Sequence, residues 1–158
     1  MSDARWEDVA LNIEDSVRHF HNAVRLGEIG TFTGAGIEPY RDSMALTHAI
    51  QSGHTSAEAA LAKVLDILGE ERPGGEDWHK TLLERLARPA HGAHARPPLL
   101  SAGTKADLDE TRSFRHRVMH SYGTFDVTRS QPALNAARRL VESLPAEVAA
   151  FRRAVDPE

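Results

Sequence analysis

The run Arg112-Ser-Phe-Arg-His-Arg-Val-Met-His-Ser-Tyr122 sets three arginines, two histidines and a tyrosine within eleven residues. Arginine carries a planar, permanently charged fork that matches phosphate oxygens. Histidine exchanges a proton near neutral pH more readily than any other side chain. Such a set is suited to binding a phosphodiester and moving protons around it. Cleavage of RNA through its own 2′-hydroxyl calls for those groups and for no metal ion.

Spacing decides how these residues can meet. Arg115 and His120 are five positions apart, which places them about 140° from each other on a straight helix at ~100° per residue. Their convergence therefore needs a frayed last turn or a second subunit. His116 and His120 are four apart and share a face. Three readings follow. The two imidazoles are half of a metal site, although a catalytic zinc wants a third protein ligand and no His-Glu-x-x-His is present. The cluster is a solvated polar face without chemistry. Or Arg115 clamps a phosphate while His120 acts as general base or acid. Arg112 and Arg117 add local positive charge for RNA. Tyr122, two residues beyond His120, is either a core anchor with a wet hydroxyl or a group that bonds substrate or is itself modified.

Composition narrows the classes. The chain has 158 residues, 41% hydrophobic and 27% charged, with a net charge of −4 and no cysteine. Disulfide and thiolate chemistry are excluded. Nonspecific nucleic-acid binders carry a net basic surface, because phosphate neutralisation supplies their affinity. RNA contact here must be local, with the arginines at 112, 115 and 117 as its source. The acidic start lacks an apolar signal core, and no apolar run approaches the roughly 20 residues of a membrane span. A cytoplasmic protein without membrane association is expected.

The elements that must position the cluster read as helices. Trp6, Val9, Ile13, Val17, Phe20 and Val24 form one apolar stripe, capped by Ser2 or Asp3 and ended by Gly27. A connection rich in glycine follows, without the lysine of a phosphate-binding loop. A second helix is predicted from about Tyr40 to Leu68, with Tyr40, Met44, His48, Ala59, Val64, Leu65 and Leu68 inward and Gly53 a weak point. Asp77 caps a short third helix with Trp78, Leu82, Leu83 and Leu86 inward, His79 being an exposed imidazole. Residues 89–103 form a loop. A fourth helix starts near Thr104 with Asp107 in a capping box, and runs through Leu108, Thr111, Phe114 and Val118 to Tyr122 and Gly123. Ser130 caps a last helix carrying Leu134, Leu140, Leu144, Val148 and Phe151, which Pro145 kinks or breaks. The expectation is an all-α, up-and-down bundle of four long helices plus one short helix. It makes one domain over 1–158, with an N-terminal helix and glycine-rich loop over 1–39 and the main bundle over 40–158.

The order Arg115-x4-His120-x-Tyr122 resembles the signature of HEPN-domain ribonuclease toxins of the HepT-like branch. The residue after the arginine is polar in that family and is His116 here. Gln51-Ser52, Ile67-Leu68, Pro73-Gly-Gly-Glu-Asp-Trp-His79, Leu82-Leu83, Arg96-Pro97, Phe114-Arg-His116 and His120-Ser-Tyr-Gly123 are similar to the same pattern, over roughly residues 45 to 155. The resemblance implies a HEPN-type bundle and a homodimer whose two motifs face each other across a cleft. It implies metal-independent endoribonuclease cleavage, with attack by the 2′-hydroxyl leaving a 2′,3′-cyclic phosphate. His120 would transfer the proton, Arg115 would clamp the phosphate and His116 would assist. The implied partner is a nucleotidyltransferase antitoxin that adds AMP to Tyr122, so that ATP and magnesium belong to the partner and this chain carries no cofactor. Met119 stands where the family often has another arginine. Two other readings remain: a noncatalytic dimeric HEPN module for interaction or nucleotide binding, and a bundle that binds metal through His116 and His120.

Overall fold

The computed structural model describes residues 3–118 and 125–157. Among them are five α-helices: α1 (Asp3–Ile29), α2 (Ile37–Leu68), α3 (Trp78–Leu86), α4 (Ala102–Val118) and α5 (Gln131–Val155). Four are long and α3 is short, as the periodicity predicts. Two 3-10 turns, Gly92–His94 and Val127–Arg129, interrupt the connections. The described residues contain no named strand; an isolated antiparallel bridge joins Ala90 to Arg96.

One hydrophobic core serves all five helices. The α1 stripe brings in Trp6, Val9, Ile13 and Phe20, and α5 brings in Leu134, Leu140, Leu144 and Phe151. α1 packs mainly on α2 and then on α5, while α4 lies on α5 and α2. Burying these apolar side chains stabilises the bundle by about 1.5–3 kcal/mol for each large one.

Several local expectations give way to packing. Gly27 does not end α1, which continues to Ile29. A Cβ there would lie 2.8 Å from Leu134 Cδ1, so the glycine is where α1 approaches α5. Gly53 lies within an unbroken α2. A Cβ there would meet Phe20 Cδ1 at 2.6 Å, and Ser16 Oγ donates to the Gly53 carbonyl at 2.7 Å. α2 begins three residues before Tyr40, and its inward face is Leu46, Ile50, Ala57, Leu61, Val64 and Leu65. Tyr40, Met44 and His48 are exposed instead. The apolar spacing of the first turns of α2 misleads because the side buried there is the one carrying Ser43, Leu46 and Thr47.

The capping expectations shift as well. Thr104 donates its N–H to Ser101 Oγ at 3.1 Å, so Ser101 caps the start of α4. Asp107 is not used in a capping box; it accepts both forks of Arg139 at 2.7–3.2 Å, tying α4 to α5. Asp77 and Ser130 occupy N-cap positions without side-chain cap bonds. Ser130 Oγ donates back to Val127 O at 2.6 Å. α5 runs unbroken through Pro145, with Leu144 and Val148 buried on either side; that burial offsets the lost backbone bond.

The connection over 89–101 is held in place. The Arg96 side chain is 3% exposed. It donates to both Glu70 oxygens, at 2.5 and 3.0 Å, and to the carbonyls of Arg88 and Pro97. A charged fork this deep is tolerated because its donors are matched.

Candidate functional site

α4 carries Arg112, Arg115, His116 and Arg117 of the predicted cluster. Leu108, Thr111, Phe114 and Val118 are buried along one side of it, which sets its rotation in the bundle. Arg115 and His116 belong to its last described turns. Met119, His120, Tyr122 and Gly123 lie outside the described residues. The chain on either side is tied together, since the Asp126 N–H donates to Val118 O at 2.8 Å. Phe125 stacks on Phe32 of the glycine-rich connection at a centroid separation of 6.1 Å. That connection, which the sequence left without a role, therefore lies against the segment that follows the motif.

The flanking arginines are exposed and already paired on their own helix. Arg112 Nε is 3.4 Å from Asp109 Oδ1, and Arg117 Nη1 is 2.5 Å from Glu110 Oε2. Exposed pairs of this kind are worth little, about 0–1 kcal/mol. A phosphate can therefore displace the carboxylate at small cost. No group of three or more potential metal ligands occurs among the described residues.

A second polar constellation lies at the heart of the bundle, and sequence reasoning missed it. His54 and Glu58 sit four residues apart on the buried face of α2. His79, in the first turn of α3, places Nδ1 at 2.6 Å from Glu58 Oε2. His54 Nε2 approaches the same oxygen at 3.2 Å, but too poorly aligned to count as a hydrogen bond. On its other side His54 Nδ1 is 2.8 Å from Thr111 Oγ1. The Thr111 hydroxyl donates to Leu108 O at 3.0 Å, so its oxygen accepts from His54 Nδ1–H. A buried polar chain thus runs from His79 through Glu58 and His54 to Thr111, one helical turn before Arg115.

Burial pushes the Glu58 carboxyl upward, and the imidazoles of His54 and His79 more than reverse this, leaving it below its ordinary value. The carboxylate is thus kept charged inside the bundle. It fixes the His79 ring, whose side chain is 42% exposed, much as a buried carboxylate orients a proton-transferring or ligating imidazole. The ring also packs against Trp78, with centroids 3.6 Å apart. Trp78, expected in the core, is only partly buried and lines a cavity of about 460 Å³ with His79, Glu58, Leu82 and Arg72. The signal that would have found this site is an ionisable pair, His54 and Glu58, on the face of α2 that also carries Ile50, Ala57 and Leu61.

A family model described as HepT-like protein matches residues 45–155. No curated protein and no solved structure matches the chain. No helix among the described residues is long and apolar enough to cross a membrane.

Proposed function

The chain belongs to the HepT-like family of HEPN-domain proteins, and from that premise we propose that it is a metal-independent endoribonuclease, the toxin of a toxin–antitoxin pair. The observation that supports this reading is the family match over residues 45–155, a stretch whose sequence carries Arg115-x4-His120-x-Tyr122. His120 takes the proton of a ribose 2′-hydroxyl, whose oxygen attacks the adjacent phosphorus. The bond to the 5′-oxygen breaks and that oxygen gains a proton, leaving a 2′,3′-cyclic phosphate and a 5′-hydroxyl. Arg115 binds the phosphate and stabilises the charge that develops on it; His116 assists. Arg112 and Arg117 contact the RNA backbone. The protein needs no cofactor of its own.

The active unit is a homodimer in the cytoplasm. Ile37, Tyr40 and Met44 support this, as exposed apolar side chains along one face of the first turns of α2. A nucleotidyltransferase antitoxin silences the site by transferring AMP from ATP to the Tyr122 hydroxyl, with release of pyrophosphate. ATP and magnesium belong to that partner. The added phosphate occupies Arg115 and repels RNA.

Expression of the chain alone tests the reading. Growth arrest, with cellular RNA ending in 2′,3′-cyclic phosphates, is expected for the native protein and not for His120→Ala. Arrest that persists in the variant overturns the assignment of the general base. Coexpression with an adjacent nucleotidyltransferase is expected to add mass in multiples of AMP, and to add none to Tyr122→Phe.

A noncatalytic HEPN module is the second reading. It is favoured by the net charge of −4 and by the carboxylates already on Arg112 and Arg117. Native protein that leaves RNA intact while still binding the nucleotidyltransferase would establish it.

A further inference from the structure

α4 is anchored differently along its length. Its first half is tied to α5: Thr104 Oγ1 donates to Glu147 Oε1 at 2.9 Å, and Arg139 donates to Asp107 at 2.7–3.2 Å. Its second half is tied to α2 through Thr111, whose Oγ1 lies 2.8 Å from His54 Nδ1. Among the described residues, this is the hydrogen bond from α4 to another helix that stands nearest Arg115, which follows Thr111 by one turn. Phe114 and Val118 add buried apolar surface there. Such burial is non-directional, whereas a hydrogen bond weakens steeply once its geometry departs from the optimum. The bond therefore fixes the register of α4 on α2 more sharply than the apolar contacts do.

The bond is also backed from behind. The Thr111 hydroxyl hydrogen is spent on Leu108 O at 3.0 Å, so its oxygen accepts and His54 presents Nδ1–H. His54 Nε2 then faces Glu58 Oε2 at 3.2 Å, and His79 Nδ1 holds the same carboxylate oxygen at 2.6 Å. The His54 and Glu58 side chains are 8% and 7% exposed, and Thr111 is buried, so little water competes for these groups.

We infer that the Glu58–His54–Thr111 chain is a positioning device, which sets the last turns of α4, and Arg115 with them, relative to the rest of the bundle. His54 and Thr111 are positioning residues: they act through α4 and do not touch RNA. The catalytic consequence rests on the ribonuclease reading. A misplacement of 1 Å can cost about 100-fold in rate. Arg115 acts on charge that develops in the transition state, so the loss falls on kcat rather than on KM.

Steady-state RNA cleavage and amide hydrogen exchange read by mass spectrometry, both on the full chain, test the device. Thr111→Val keeps the shape of the side chain and removes the acceptor. It is expected to lower kcat about tenfold, with KM within about twofold of native. It should also quicken exchange over residues 112–118 while leaving α1 and α5 as they are. Thr111→Ser keeps the hydroxyl and should restore both. His54→Leu breaks the chain from the α2 side and should reproduce Thr111→Val. In the native protein the His54 Nδ1 proton should be protected from solvent in the nitrogen-15 spectrum. The inference is overturned if that proton exchanges freely, if Thr111→Val leaves exchange over 112–118 unchanged or quickens it equally in every helix, or if Thr111→Ser is as impaired as Thr111→Val. Local quickening with an unchanged kcat, in a chain that cleaves RNA, overturns it as well. A native chain that cleaves no RNA sinks the ribonuclease reading instead, and exchange alone then decides the positioning.

Discussion

His79 Nδ1 lies 2.6 Å from Glu58 Oε2, joining the first turn of α3 to the middle of α2. The Glu58 side chain is 7% exposed, so the contact is shielded from solvent on the carboxylate side and open on the imidazole side. That asymmetry makes Glu58 a fixed anchor and His79 the group that meets whatever enters the cavity.

Replacing Glu58 by Gln removes the charge that both imidazoles face. Leaving charged or donor groups unmatched in a buried site costs about 1–3 kcal/mol. Urea unfolding at neutral pH is expected to show a loss of that size. No change in the midpoint would mean that the histidines find other partners.

Acid should reveal the same contact. The Glu58 carboxyl is held below its ordinary value in the folded state, and the unfolded value is about 4.3. Its stabilising contribution is therefore complete above the unfolded value and lost as pH falls through the folded one. Asp66, beside Arg72, and Glu70, beside Arg96, are shifted in the same direction. The melting temperature should drop on acidification from pH 6 to pH 3, and the gap between native protein and Glu58→Gln should narrow over that interval. A gap that stays constant would remove the carboxylate from the account.

Arg96 holds the connection between α3 and α4 through donors to Glu70 and to two carbonyls. Arg96→Ala strips these acceptors of their partner in a buried setting, with an expected cost of about 3 kcal/mol. Arg96→Lys should recover less than half, since an ammonium cannot engage both carboxylate oxygens as the fork does. Chemical denaturation of both variants measures this.

Gly53→Ala sets helix propensity against packing. The substitution favours a helix by about 1 kcal/mol, but its Cβ would stand 2.6 Å from the buried Phe20 ring, and overpacking costs about 1–3 kcal/mol. Net destabilisation is expected. A higher melting temperature would show that Phe20 moves aside freely.

Arg115→Ala should lower RNA cleavage by about 100-fold or more, the scale of losing one charge-stabilising donor, and change stability by no more than about 0.5 kcal/mol. Chelation by EDTA should leave the native rate unchanged. Loss of activity that added zinc restores would favour a metal site built on His116 and His120.

The sequence by itself determined the helices and the motif. Apolar spacing in Trp6–Phe20 and Leu134–Phe151 marks helix faces because a helix returns each side chain to one side every three or four residues, and both stripes are buried. The order Arg115, His120 and Tyr122 is likewise local information. Tertiary structure decided what spacing cannot carry. Tyr40 and Met44 keep helical periodicity yet lie outside the core, since coverage depends on where the other helices fall. Gly27 reads as a helix end and Gly53 as a weak point, but both are points of close approach, because Leu134 and Phe20 arrive from other helices. The chain His79–Glu58–His54–Thr111 joins residues 21 and 57 positions apart. Only the packing of α2 against α3 and α4 brings those side chains within hydrogen-bonding reach, and no pattern along one helix encodes that distance.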